Sequence, residues 1–211
     1  MTRPVILVAD DHPIFREALK IAVARAAPGA LILEAGRLGE AAEATRRAER
    51  LDLVLLDLRM PGAEGFSGVA LLHAERPETP ILVISSADQP DAAAGARAYG
   101  AIGFVSKSAD LGTIEGAIRR ALAGERAPEP AAGPDPEVAD MAARIARLTP
   151  AELKVLVGVL AGRLNKQIAY DLGLSEATVK GHMTVIMRKM NVQNRTQAVL
   201  AARALDLALA G

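Results

Sequence analysis

Over its first 123 residues the chain alternates short aliphatic runs rich in β-branched residues with longer alanine-rich stretches that carry apolar residues at helical spacing. The strand candidates are Val5–Ala9, Leu31–Ala35, Leu53–Leu56, Ile81–Ile84 and Ile102–Val105, with a helix expected after each. Strands separated by helices pair in parallel, because each crossover returns the chain to the same sheet edge. The fold class expected here is therefore α/β, a five-stranded parallel sheet doubly wound by five helices. The first, third and fourth strands are almost uninterrupted aliphatic runs, the signature of strands covered on both faces, and belong at the sheet centre.

In an open parallel sheet, ligands bind beyond the carboxyl ends of the strands. Asp10 and Asp11 follow the first strand, Asp57 ends the third, Ser85 ends the fourth and Lys107 lies just past the fifth, so all five are expected at one edge. Three carboxylates at close range repel one another. A hard divalent cation with oxygen ligands relieves that repulsion, and Mg2+ fits because it keeps waters and needs few protein ligands. A carboxylate can also attack a phosphoryl group when cations take up charge on the transferring oxygens, roles open to Mg2+ and Lys107. Ser85 adds a hydroxyl able to bond the attached group. Any one of these residues alone is better read as an ordinary strand-end side chain; their ordered occurrence carries the chemistry. His12, beside the two aspartates, is assigned a surface or hydrogen-bonding role and no chemistry.

Residues 124 to 136 hold four prolines and two glycines with few large apolar side chains, the composition of a linker. Helical spacing resumes from Glu137 to Leu148 through Val138, Met141 and Ile145, with no evident packing partner. The organisation expected is 1–123 as the first domain, 124–147 as the connection and 148–211 as a small all-α domain. In that domain Thr149-Pro150-Ala151-Glu152 forms a capping box, Asn165 is expected to cap a second helix ending at Leu172-Gly173, and Ser175 a third running to about Met190. Asn194 with Gln197 opens a fourth, which carries Val199, Leu200, Leu205 and Leu207. The second and third helices, joined by a tight turn, make a helix-turn-helix.

Charge separates the two domains although the chain is formally neutral. Residues 1–123 hold 14 basic and 16 acidic groups, and residues 148–211 hold 8 and 4, so only the second domain suits a polyanion. On its third helix Val179, Met183, Ile186 and Met190 face a core, and Lys180, Gly181, Thr184 and Arg188 form the opposite stripe. That stripe can enter a DNA major groove, and Lys166, at the start of the preceding helix, suits a phosphate. A packing or dimerisation module has the same periodicity.

Val8-Ala9-Asp10-Asp11-His12-Pro13 and Leu56-Asp57-Leu58-Arg59-Met60-Pro61 resemble receiver domains of the NarL/FixJ response-regulator family, over the whole first domain. Leu148–Glu152, Asn165–Ala169, Ser175–His182 and Asn194–Ala198 resemble the LuxR-type four-helix DNA-binding domain. The resemblance implies a flavodoxin-like receiver with Asp57 as phosphoacceptor, and Mg2+ held by Asp11, Asp57 and the Arg59 carbonyl, with Asp10 acting through water. It implies switch roles for Ser85, Lys107 and Phe104, the last at a position often occupied by tyrosine. It adds Ser175 and Thr178 to the DNA-contacting set of Lys166, Lys180, Gly181, Thr184 and Arg188. Gly181 and Thr184 stand where other members often carry larger or basic residues, so no operator sequence carries over. Gly181 also weakens a helix interior by roughly 1 kcal/mol relative to alanine.

The function expected is a transcription regulator phosphorylated by a sensor histidine kinase or small phosphodonor, binding double-stranded promoter DNA and dimerising when active. It is no enzyme beyond its own phosphorylation and dephosphorylation. The alternatives are a regulator of the same fold that is never phosphorylated, and a magnesium-dependent phosphatase or phosphotransferase, which leaves the basic domain unexplained. With no cysteine and no cleavable or bilayer-length apolar segment, a cytoplasmic setting without membrane attachment is expected.

Overall fold

The computed structural model describes residues 3–63, 65–86, 92–126 and 136–204. Its first part runs β1 (Val5–Ala9), α1 (Pro13–Ala26), β2 (Leu31–Ala35), α2 (Leu38–Arg47), β3 (Leu53–Leu56), α3 (Ser67–Glu75), β4 (Ile81–Ser85), α4 (Ala92–Ala98), β5 (Gly103–Ser106) and α5 (Leu111–Leu122). The five strands pair in parallel in the order β2-β1-β3-β4-β5, which puts the three most continuous aliphatic runs at the centre. Alternation along each strand divides the core in two. Ile6, Val8, Leu53, Leu55, Leu82 and Ile84 pack beneath α1 and α5, and Leu7, Ala9, Val54, Leu56, Ile81 and Val83 pack with residues of α2, α3 and α4. The last strand lies one residue later than its aliphatic run: Ile102 donates its N–H to the Ile81 carbonyl, and the paired residues begin at Gly103.

The helical part comprises α6 (Pro136–Ile145), α7 (Pro150–Leu160), α8 (Asn165–Leu172), α9 (Glu176–Met190) and α10 (Arg195–Ala204). Residues 127–135 of the expected linker, and Leu205 and Leu207, lie outside the described residues. The expected caps are present at α7, where Thr149 and Glu152 bond reciprocally, at α9 through Ser175, and at α10, where Asn194 Oδ1 accepts the Gln197 N–H at 2.8 Å. Gly173 leaves α8 in the left-handed region, at φ 65°.

The start of α8 differs from expectation. Asn165 is its first helical residue, and Leu164, with extended backbone, holds the cap position. The Gln167 side chain accepts the Leu164 N–H at 2.8 Å. The Asn165 oxygen is engaged elsewhere, accepting from Arg195 Nη1 at 2.9 Å. On α10 the inward residues are Ala198 and Ala202, while Leu200 is 62% exposed.

Within the helical part α6 packs mainly on the end of α9, and also on α10. Arg144 Nη1 donates to the Met190 carbonyl at 3.2 Å, and Ala142, Ile145 and Leu148 are buried. The two parts of the chain meet where α3 packs on α7, with Lys154 Nζ 2.9 Å from Glu75 Oε1, and where α4 packs on α6.

Candidate functional site

The parallel register brings the ends of β1, β3, β4 and β5 level. Asp57 leaves β3 by donating its N–H to the Ala9 carbonyl, and Lys107 leaves β5 by donating to the Ser85 carbonyl, so the turns that carry the site are pinned to neighbouring strands. Their side chains converge. Lys107 Nζ lies 2.6 Å from Asp57 Oδ2 and 2.6 Å from Asp10 Oδ2. Ser85 Oγ donates to Asp57 Oδ1 at 2.8 Å, and the Arg59 N–H reaches the same oxygen at 3.2 Å. Asp10 and Ser85 are fully buried, and Asp57 nearly so.

One ligand atom from each of Asp10, Asp11, His12 and Asp57 lies within 4.8 Å of the other three. Three carboxylates thus crowd a pocket where Lys107 pairs with Asp10 and Asp57, an excess of negative charge that suits a divalent cation. Phe104, on β5 opposite Val83, is half-buried beside these groups' strands and outside their hydrogen-bonding set.

Three contributors had no part in the expected site. Arg16 Nη1 donates to the Asp10 carbonyl at 2.7 Å, the Phe15 ring lies 4.7 Å from Lys107 Nζ, and His12 Nδ1 lies 2.7 Å from Asp11 Oδ1. All follow the acidic pair, at the N-cap and on the first turn of α1. Their signal was Pro13, which starts that helix and so fixes which residues one turn on face back to the strand end.

The second surface is α9. Val179, Met183, Ile186 and Met190 are buried, whereas Lys180, Gly181, Thr184 and Arg188 are exposed, as the spacing predicts. Ser175 Oγ accepts the Thr178 N–H at 3.0 Å and so fixes the helix's first turn. Lys180 is 65% exposed, with an intrahelical partner at Glu176, and Thr184 Oγ1 bonds back to the Lys180 carbonyl. A β-carbon built on Gly181 meets no atom within 4 Å. Lys166 is exposed on the first turn of α8.

The far end of α9 is held from within. Lys189 Nζ lies 2.7 Å from Glu152 Oε2 and donates to the Arg147 carbonyl. Burial pushes the Glu152 carboxyl up, but hydrogen bonds from Lys189 and the Thr149 N–H outweigh it and hold the group below the usual carboxylate range. The α7 capping box and the α9 anchor therefore share one carboxylate.

Residues 6–119 match the response regulator receiver domain family, and residues 146–202 match the family described as bacterial regulatory proteins, luxR family. The glycerol metabolism activator of Pseudomonas putida is 37% identical over 217 residues, spanning 95% of this chain and 96% of that protein. The nitrate/nitrite response regulator protein NarL of Escherichia coli K12 is 32% identical over 203 residues, spanning 92% and 93%. Among solved structures, a LuxR-family two-component response regulator from Aurantimonas sp. SI85-9A1 is similar with a TM-score of 0.55 at 33% identity, covering 61% of this chain and 91% of that one. The acidic pocket at the strand ends and the capped helix-turn-helix thus fall in the two matched segments, and the chain belongs to the NarL/FixJ family of two-component response regulators, phosphorylation-controlled transcription regulators with a LuxR-type DNA-binding domain.

Proposed function

We propose that Asp57 is the phosphoacceptor, with residues 1–123 as the receiver unit, 124–147 as the connection and 148–211 as the DNA-binding unit. The observation that carries this reading is the convergence on one carboxylate: Lys107 contacts one Asp57 oxygen while Ser85 and the Arg59 N–H donate to the other. Cationic and hydroxyl groups so disposed about a carboxylate take up charge on the oxygens of an incoming phosphoryl group. Asp10, Asp11 and Asp57, with the Arg59 carbonyl, would hold Mg2+, and the unbalanced charge of the pocket fits that ion. Bound there, Mg2+ supplies the remaining neutralisation. Lys107 then pairs with the phosphoryl group, Ser85 turns its hydroxyl from Asp57 to a phosphoryl oxygen, and the change is passed to Phe104 on the neighbouring strand.

The donor is a sensor histidine kinase or a small phosphodonor, and the only chemistry is the chain's own phosphorylation and dephosphorylation. Lys166, Ser175, Thr178, Lys180, Gly181, Thr184 and Arg188 contact double-stranded promoter DNA, and the active form is a homodimer, with exposed Leu200 on α10 available to its interface. Among the described residues no helix is long and apolar enough to cross a membrane, and the proposed setting is the cytoplasm. Incubation with a phosphodonor and Mg2+ is expected to add one acid-labile phosphoryl group to the wild type and none to Asp57→Asn. Equal labelling of the two would remove Asp57 from its role.

A further inference from the structure

His12 is the side chain of the acidic pocket that phosphoryl transfer leaves without a task. It stands at the N-cap of α1, where a side chain ordinarily accepts a bond from the first helical turn, yet its ring makes none. Instead its own backbone N–H donates to Asp10 Oδ1 at 2.8 Å, and the imidazole lies over the carboxylates, with Nδ1 2.7 Å from Asp11 Oδ1 and 3.4 Å from Asp10 Oδ1.

The short contact to Asp11 is not an aligned hydrogen bond. Asp11 Oδ1 is a buried oxygen without a hydrogen-bond partner, while Asp10 Oδ2 is paired with the Lys107 ammonium. Asp10 as a whole is fully buried. A ring nitrogen and carboxylate oxygens this close together can serve one ion as ligands. All four ligand atoms lie within 4.8 Å of one another, close to the roughly 4.2 Å that separates ligands on opposite sides of a small divalent ion.

We infer that His12 Nδ1 is a nitrogen ligand to the divalent cation of this pocket, so that the site holds imidazole-preferring first-row ions such as Ni2+ and Zn2+ more tightly than its carboxylates alone would. This rests on the reading of the pocket as a cation site. The ring binds through its unprotonated Nδ1, with its proton on Nε2. Mg2+, which prefers oxygen and keeps its waters, gains little from the imidazole, whereas affinity for the later first-row ions rises with each nitrogen donor. The ring is 65% exposed, so its removal leaves the core intact and the aspartates in place.

The probe is Mn2+ bound to the full chain, with the nitrogen coupling read by electron spin-echo modulation. The wild type is expected to show directly coordinated 14N, lost in His12→Ala even though His73 and His182 remain. Calorimetry on the same pair is expected to show Ni2+ affinity falling roughly tenfold or more and Mg2+ affinity changing less than about twofold. Mn2+ that binds in competition with Mg2+ but shows no 14N coupling in the wild type overturns the role of His12 and leaves the carboxylate site standing. Mn2+ binding that is absent, or unchanged in Asp57→Asn, overturns the cation site and the role of His12 together.

Discussion

The acidic pocket and the exposed stripe of α9 are built on opposite terms. In the pocket, four strand ends and the first turn of α1 impose the position of every polar group, and almost all contacts lie within the chain. On α9 only the buried side is imposed. Lys180, Gly181, Thr184 and Arg188 lie exposed on a well-anchored helix, and the DNA proposed to complete them is supplied from outside the chain. The first site is preorganised chemistry, which the chain alone can specify. The second is a preorganised platform, and on the proposed reading its selectivity depends on pairwise contacts with bases.

The largest test of this contrast lies in the pocket. Lys107→Ala leaves two buried carboxylates without their ammonium and is expected to lower stability by about 3 kcal/mol in metal-free denaturant titrations. Added Mg2+ is expected to recover part of the loss, and a variant as stable as wild type without metal would show that the pocket is not electrostatically strained.

Two glycines of the helical part sharpen the comparison, because the same substitution is expected to act with opposite sign. A β-carbon at Gly158 on α7 falls 2.9 Å from Ile168 Cγ1, so Gly158→Ala should cost about 2 kcal/mol by overpacking α7 against α8. Gly181→Ala meets open space and should gain about 1 kcal/mol from helix propensity. If Gly181→Ala also weakens operator binding, the glycine serves the DNA and not the fold. Unchanged binding would break that assignment.

Glu152 gives a smaller, pH-dependent effect. Its carboxyl is depressed in the folded chain, so the stability it contributes is present above the ordinary carboxylate pKa and lost as pH falls through the folded value. Glu152→Gln should cost about 1 kcal/mol near neutrality and flatten the acid limb of a thermal-melt series. The smallest expected change is in a slope. Lys180→Ala should reduce the salt dependence of DNA binding by about one counterion, and an unchanged slope would take Lys180 off the phosphate backbone.

The pocket was legible from the sequence because β1, β3, β4 and β5 are recognisable by their aliphatic runs, and parallel strands deliver their ends to one edge whatever their exact register. Asp10, Asp11, Asp57, Ser85 and Lys107 needed nothing further. Arg16 and Phe15 depend on the rotation of α1, and Asn165 was misread because its oxygen is claimed by Arg195, 30 residues later, a pairing no local spacing reveals. On α10 the buried residues are Ala198 and Ala202, while Leu200 lies 62% exposed, a choice of face that the bare list of apolar residues did not make. The packing of α6 was hidden because its main partner within the helical part is the distant end of α9.

One helix carries a consequence for signalling. Glu152 and Lys154 are two positions apart on α7; the first grips the end of α9 through Lys189, and the second grips α3 of the receiver through Glu75. An 11-residue helix is a stiff rod of about 16 Å. The rod is tied at neighbouring points to α3 of the receiver and to the end of α9, so a displacement of either relative to α7 has to open an ion pair. On the proposed reading of α9, this is a path between receiver and DNA that does not run through residues 124–147.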